Sequence, residues 1–319
     1  MIWFSVGLPL VLQALVPIAL LSAIAAGTAT PLAHAALILF TTAYLVAIGV
    51  AGLWLVLPWW MPWLYGGVLV VAVARAVRRW PARTTARARW PWMVIAAGTV
   101  GAVAAATITA VAWRGRRAPA GTVELASPFT SGTYLVVNGG MSQLLSAHLA
   151  TLDGERFRPY RGQSYGVDLV KIDRLGLRAR GVLPRDPAAY GIFGEPVVAP
   201  CTGRVIAAED GAPDMPPPET DRAHMAGNHV LLDCDGVWVL LGHLQSGSVA
   251  VRTGQPVRRG TPIGRAGNSG NTGEPHLHVH AQRPGPVEAP LGGDPLPIRI
   301  DGRFLVRNDR LSIASGDGR

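Results

Sequence analysis

No aspartate, glutamate, lysine or arginine occurs before Arg75. A soluble helix needs a polar face for water, and an uncharged stretch of this length cannot supply one. A bilayer accepts such a stretch and asks for about 20 apolar residues per crossing. Ile2 to about Ala26 therefore reads as a first transmembrane span, and Ala35 to Leu57 as a second, with Pro31 between them. Pro58-Trp-Trp-Met61 reads as an interfacial turn, because tryptophan favours the headgroup level. Trp63 to Ala74 is a third and shorter span, and Trp90 to Trp113 a fourth. The first span lacks the positive leading region of a cleaved signal peptide, so it is expected to be retained.

Charge enters as arginines at 75, 78, 79, 83, 87 and 89, between two apolar stretches, and again at 114, 116 and 117. Arginines in such positions anchor and orient membrane helices, and the richer loop faces the cytoplasm. The loop 75–89 is therefore expected inside the cell, with the N-terminus and everything after Arg117 outside. The net charge of +9 comes without any nucleic-acid reading motif, and no nucleic-acid partner is expected.

From about Ala118 the texture changes to short apolar runs broken by Gly, Pro, Asn and Asp. Tyr134 to Val137 ends at Asn138-Gly-Gly140. Val230 to Cys234 and Val237 to Leu241 flank Asp235-Gly236, a hairpin signal. No long amphipathic helical pattern follows, so residues 118–319 are expected to form a mostly antiparallel β domain behind a membrane anchor at 1–117. Ala207 to Asn228, with its run Pro216-Pro-Pro218, reads as an exposed loop.

Chemistry concentrates in Gly267-Asn-Ser-Gly-Asn-Thr-Gly-Glu-Pro-His-Leu-His-Val-His280. Alternate strand residues share a face, so His276, His278 and His280 point to one side. Two imidazoles so placed can meet one metal ion, or a metal and its water. A histidine-bearing surface strand is the alternative, and the glycine-rich lead-in weighs against it.

Residues from about Ser131 to Asn308 resemble the lysostaphin/LytM family of zinc endopeptidases, which cut peptide bonds of bacterial peptidoglycan. The likeness rests on blocks in family order: Tyr165-Gly-Val-Asp168, Pro196 to Val205, Gly227-Asn228 through Leu241-Gly-His-Leu244, Gly254 to Gly264, and the H-x-H strand. It implies a lysostaphin-like β-sandwich with Zn2+ held by Asp168 and His278. It also implies that His243 and His276 handle the attacking water and the developing oxyanion. Zinc with three protein ligands keeps a fourth place open and lowers its water's pKa to about 7.

The family usually carries H-x-x-x-D, and here Ser164 stands where that histidine belongs. The segment resembles a Gln-x-Tyr-x-x-Asp variant with an earlier histidine, which points to His148 in Leu145-Ser-Ala-His-Leu149 as the third metal ligand. His280 is the second candidate, while His224 and His229 read as loop and strand surface. The resemblance also makes the strands of Cys201 and Cys234 neighbours. Outside the cytoplasm these two cysteines, the chain's only ones, are expected to form a disulfide, with two buried thiols as the alternative.

These readings add up to a membrane-anchored extracytoplasmic zinc endopeptidase acting on peptidoglycan peptides. The alternative is a degenerate relative that binds peptidoglycan or activates another cell-wall hydrolase. A lipoyl-like carrier is excluded, because the only lysine, Lys171, lies outside any carrier hairpin.

Overall fold

The computed structural model describes residues 7–28, 30–79 and 91–314. The chain divides into two compact units, Met1–Trp113 and Arg114–Arg319, and each is described by itself.

Four helices long and apolar enough to cross a membrane make up the N-terminal part: α1 Leu8–Ala26, α2 Pro31–Ala51, α3 Met61–Arg79 and α4 Pro91–Arg114. Helix α1 carries one widened turn over Val11–Leu15. Helix α2 starts and stops earlier than its hydropathy suggests. Thr30 caps it by accepting from the Ala33 amide at 3.2 Å, and Pro31 fills the first helical position; a cap and a proline together outweigh the apolar pattern. In α3 the helix runs past Ala74 to take in Arg75 and Arg78 on its last turns. The remainder of the expected arginine loop, with Arg83, Arg87 and Arg89, lies outside the described residues. Leu21, Leu45, Trp54 and Tyr65 pack together inside this unit, while Leu15, Val70 and Val100 are exposed. Outward-facing apolar side chains on helices whose charges are confined to their ends suit a lipid environment.

The second unit is built on strands that pair antiparallel except for β1 with β12: β1 Val123–Leu125, β2 Gly132–Asn138, β3 Val167–Lys171, β4 Pro196–Val198, β5 Gly203–Glu209, β6 Asn228–Asp233, β7 Trp238–Leu244, β8 Pro256–Val257, β9 Pro262–Arg265, β10 Leu277–Gln282, β11 Pro295–Leu296, β12 Ile298–Ile300 and β13 Arg310–Ile313. The main sheet has nine strands in the order β13-β2-β3-β10-β7-β6-β5-β8, with β11 on β10. Two small ribbons, β4-β9 and β1-β12, accompany it.

Alternation divides the sheet's two faces. Leu169, Val230, Val239, Leu241, Leu277 and Val279 join Val197, Ile263 and Ile298 from the ribbons in the main core. The intervening residues Asp168, His278, His280, Gly242 and Leu240 fall on the opposite face. This is a mostly antiparallel domain. The β6-β7 hairpin turns through Asp235 and Gly236 at φ 57° and 79°, the left-handed pair that a two-residue turn demands.

The paired cysteines sit at this hairpin: Cys201 and Cys234 form a disulfide, with Cα atoms 6.0 Å apart.

Candidate metal centre

Asp168 lies on β3 directly opposite His278 on β10, in antiparallel register. Cross-strand partners face one side together, so the pairing alone brings carboxylate and imidazole into contact. His278 Nδ1 is 2.8 Å from Asp168 Oδ1. On the other carboxylate oxygen, His148 Nε2 approaches to 2.9 Å and Asn138 Nδ2 donates at 2.8 Å. His148 comes from a short 3-10 turn, Ala147–Thr151. That turn is tied back to β2 where the Ala147 amide donates to Asn138 Oδ1 at 3.1 Å.

His148, Asp168 and His278 offer donor atoms that all lie within 4.8 Å of one another. Two imidazoles and a carboxylate suit a borderline divalent ion with bonds of about 2.0–2.2 Å. They fit such an ion chemically, and three donors leave room for a fourth ligand. His278 Nε2 is 2.9 Å from His280 Nδ1. If His280 accepts there, the proton stays on Nε2 of His278 and the Nδ1 lone pair is left for a metal, the usual way an outer group sets a ligand's tautomer. His280 thus sits behind His278, away from the carboxylate.

Ser164, in the place of the family's usual histidine, is fully buried. Its hydroxyl donates to the Arg161 carbonyl at 2.7 Å and meets the Thr151 hydroxyl at 2.9 Å. Through Thr151 it braces the turn that carries His148.

Two further imidazoles stand beside this group. His243 is near the end of β7 in a left-handed conformation, φ 59°, a strained state for a residue other than glycine. Its Nδ1–H donates to the Ser269 carbonyl at 2.9 Å, which leaves Nε2 as the nitrogen with a lone pair. His276 directs Nδ1–H to the Glu274 carbonyl at 2.9 Å, and its Nε2 lies 3.7 Å from Asp168 Oδ1. The His243 and His276 ring centres are 4.7 Å apart.

Burial and mutual charge set the proton states. Burial alone would raise the Asp168 pKa, but the charges of His148 and His276 and the hydrogen bonds of His148 and His278 hold it well below the usual carboxylate range. Burial pushes His148 down, and the Asp168 carboxylate more than reverses that, so its pKa is raised. Burial, reinforced by His276 and His278, drives His243 well below its ordinary value. A buried neutral imidazole with its proton fixed on Nδ1 is a proton acceptor at Nε2.

The residues read from the sequence thus assemble: Asp168, His148 and His278 in one group, with His243 and His276 next to it. Four supporting residues carried no visible signal. Asn138 looked like the end of a turn, yet it holds the Asp168 carboxylate and the Ala147 amide and takes a bond from Arg307 Nη2 at 3.2 Å. Arg178, 4% exposed along its side chain, grips the Glu274 carboxylate through Nε at 2.9 Å and Nη2 at 2.8 Å. That pair anchors the residue whose carbonyl holds His276. The expectation for His229 is corrected: it is 7% exposed rather than a surface strand residue. The loop before β6 and the segment around Leu291 cover that side of the sheet.

A largely buried carboxylate–imidazole cluster on one face of an antiparallel sheet forms a candidate metal centre. Residues 189–290 match peptidase family M23, which agrees with the lysostaphin/LytM resemblance. No curated protein matches the chain. Among solved structures, a zinc-containing peptidase from Vibrio cholerae aligns with a TM-score of 0.24 and 23% identity, over 46% of this chain and 28% of that one. The catalytic domain of lysostaphin from Staphylococcus simulans aligns at TM-score 0.26 and 21% identity, over 39% and 71%. A chain of the SpoIIQ–SpoIIIAH pore-forming complex aligns at TM-score 0.30 and 15% identity, over 54% and 92%.

Proposed function

We propose that this chain is a membrane-anchored zinc endopeptidase that hydrolyses peptide bonds of bacterial peptidoglycan, with residues 118–319 on the extracytoplasmic side. The observation that carries the reading is the convergence of His148, Asp168 and His278 next to His243 and His276. In this proposal the first three hold the zinc. The metal would lower the pKa of a water molecule to about 7 and polarise the scissile carbonyl.

The protein's own groups do the rest. His243, neutral by burial and with its proton committed to the Ser269 carbonyl, takes a proton at Nε2. His276, held through Nδ1 by the Glu274 carbonyl, faces the same space with Nε2; when protonated there it stabilises negative charge on the carbonyl oxygen. Asn138 and His280 keep the carboxylate and His278 in place. Arginine counts on the two sides of α4 support an outward second unit, and a disulfide agrees with a non-reducing compartment.

A second reading has one observation in its favour. Ser164 occupies the place of a histidine and is itself committed to structural bonds, as it would be in a relative that binds peptidoglycan or activates another hydrolase without cutting. Incubating the detergent-purified full chain with cell-wall sacculi, with and without a chelator, separates the two. Chelator-sensitive release of new amino groups is expected. Binding to sacculi with no release would overturn the peptidase reading in favour of the second.

A further inference from the structure

A cavity of about 890 Å3 lies on the same face of the sheet as the metal centre and takes no part in the chemistry above. Its floor and sides are apolar, formed by Ala207, Met225, Leu291 and the ring of Tyr160. The strand order places it beside the centre. His278 on β10 pairs with Gly242 on β7, and His229 on β6 flanks Gly242 from the other side, where Val230 pairs with Leu241. A side chain at Gly242 would meet the Ala226 carbonyl oxygen and Leu240 Cδ2, both at 3.2 Å, so Ala226 stands between the centre and the cavity. Ala226, which lines the cavity, accepts the backbone amide of His243 at 2.9 Å. Two strand spacings separate His229 from His278, about 10 Å, or about three residues of extended peptide.

The polar groups of this cavity share one character. Glu209, Asp210, Asp221 and Glu288 line it, and among the described residues no lysine or arginine does, in a chain whose net charge is +9. Asp210 is spent on the amides of Gly247 and Val249, and Asp221 on His224. Among the described residues, the carboxylates of Glu209 and Glu288 form no ion pair.

His229 supplies an independent indication. It is 7% exposed, and its Nδ1–H donates to the Gly227 carbonyl at 2.8 Å. Its Nε2 makes no hydrogen bond among the described residues, and His229 lines the cavity. Burial lowers its pKa, so that nitrogen offers a lone pair. An N–H from a ligand can pair with that nitrogen in place of water. An anion would meet a lone pair and two carboxylates, and a purely apolar group would pair with none of them.

We propose that this cavity is a subsite for a basic, amine-bearing side chain of the peptide, with its methylenes against Met225 and Leu291 and its amine shared by His229 Nε2, Glu209 and Glu288. The inference rests on the peptidase reading for its biological sense, but its binding chemistry can be tested separately.

The test uses the zinc-loaded full chain in detergent and two probes, Nα-acetyl-lysine amide and Nα-acetyl-norleucine amide, which differ in the amine. Titration by ligand-observed NMR should give about tenfold tighter binding of the lysine probe at low salt, a preference that shrinks as salt rises. Glu209→Gln with Glu288→Gln, both at exposed positions, should remove most of that preference and leave the norleucine affinity unchanged. Equal affinity for the two probes, or a preference that survives both substitutions, would overturn the proposal. Parallel assays with peptides carrying lysine or norleucine about three residues from the cleaved bond keep the two ideas apart. Lysine-selective binding without cleavage would leave the subsite standing and remove the peptidase. Cleavage with equal KM for the two peptides would do the reverse.

Discussion

Replacing Arg178 by methionine separates the frame of the site from its metal. The guanidinium holds Glu274 through Nε and Nη2 and donates to the Val182 carbonyl at 3.2 Å. The two side chains are 4% and 17% exposed. Removing one partner of a buried pair leaves an uncompensated charge and costs about 3–5 kcal/mol. Glu274 retains some access to water, so the lower end, about 3 kcal/mol, applies. For a unit of some 200 residues, each kcal/mol moves the melting temperature by about 2–4 °C, which makes a fall of about 6–12 °C. The same substitution frees the Glu274 backbone that fixes His276, and a shift of about 1 Å in a positioned group costs on the order of a hundredfold in rate. Bound zinc should stay unchanged, because His276 is not among the proposed ligands. Thermal melts by near-UV circular dichroism, zinc content and kcat/KM on the purified full chain read these three quantities. Adding Glu274→Met should recover part of the stability, since the stranded charge is gone. A variant that melts within about 2 °C of the parent, or that loses zinc in step with activity, would refute the reasoning.

Two further outcomes follow from burial and cross-linking. His229, His243, His278 and His280 are held below their ordinary pKa chiefly by burial, so below about pH 6.5 the unfolded chain binds protons that the folded chain refuses. Each such group costs about 1.4 kcal/mol per pH unit. The raised pKa of His148 works in the other direction, its stabilisation being complete below 6.5 and lost only as pH rises through the folded value. The lowered Asp168 pKa gives stability that persists until pH falls below the ordinary aspartate value of about 3.9. The chelator-treated protein should therefore melt earlier as pH falls from about 7 to about 5.5, and a flat or rising midpoint would contradict this. Cys201 and Cys234 close a loop with a sequence separation of 33, which the chain-entropy account values at about 4 kcal/mol. Replacing both by serine should lower the second unit's melting temperature by roughly 8–15 °C, and no change would show that the cross-link is idle.

What the sequence made legible was whatever lies in one continuous pattern. Uncharged runs marked the helices, Asp235-Gly236 marked its hairpin, and the alternation in His276-Leu-His278 placed both imidazoles on one face. Strand pairing across long stretches of chain was not legible. Asn138 reaches Asp168 because β2 lies beside β3, and Arg178 meets Glu274 across 96 residues. Neither pairing leaves a local signature. His229 reads as strand surface in the sequence. It is buried because Leu291, far along the chain, packs over that face with Leu231 and Leu240. Helix ends deviated for a local reason: Thr30-Pro31 is a start signal that overrides hydropathy at α2.

The zinc K-edge absorption spectrum of the full chain, purified from membranes beside its His148→Ala variant, addresses the metal-site claim most directly. The account predicts about one zinc per chain, with nitrogen and oxygen neighbours at about 2.0–2.2 Å and no sulfur. It also predicts that the variant loses an imidazole from that shell together with most of its metal. A zinc shell identical in the two proteins, or no zinc in either, would contradict it.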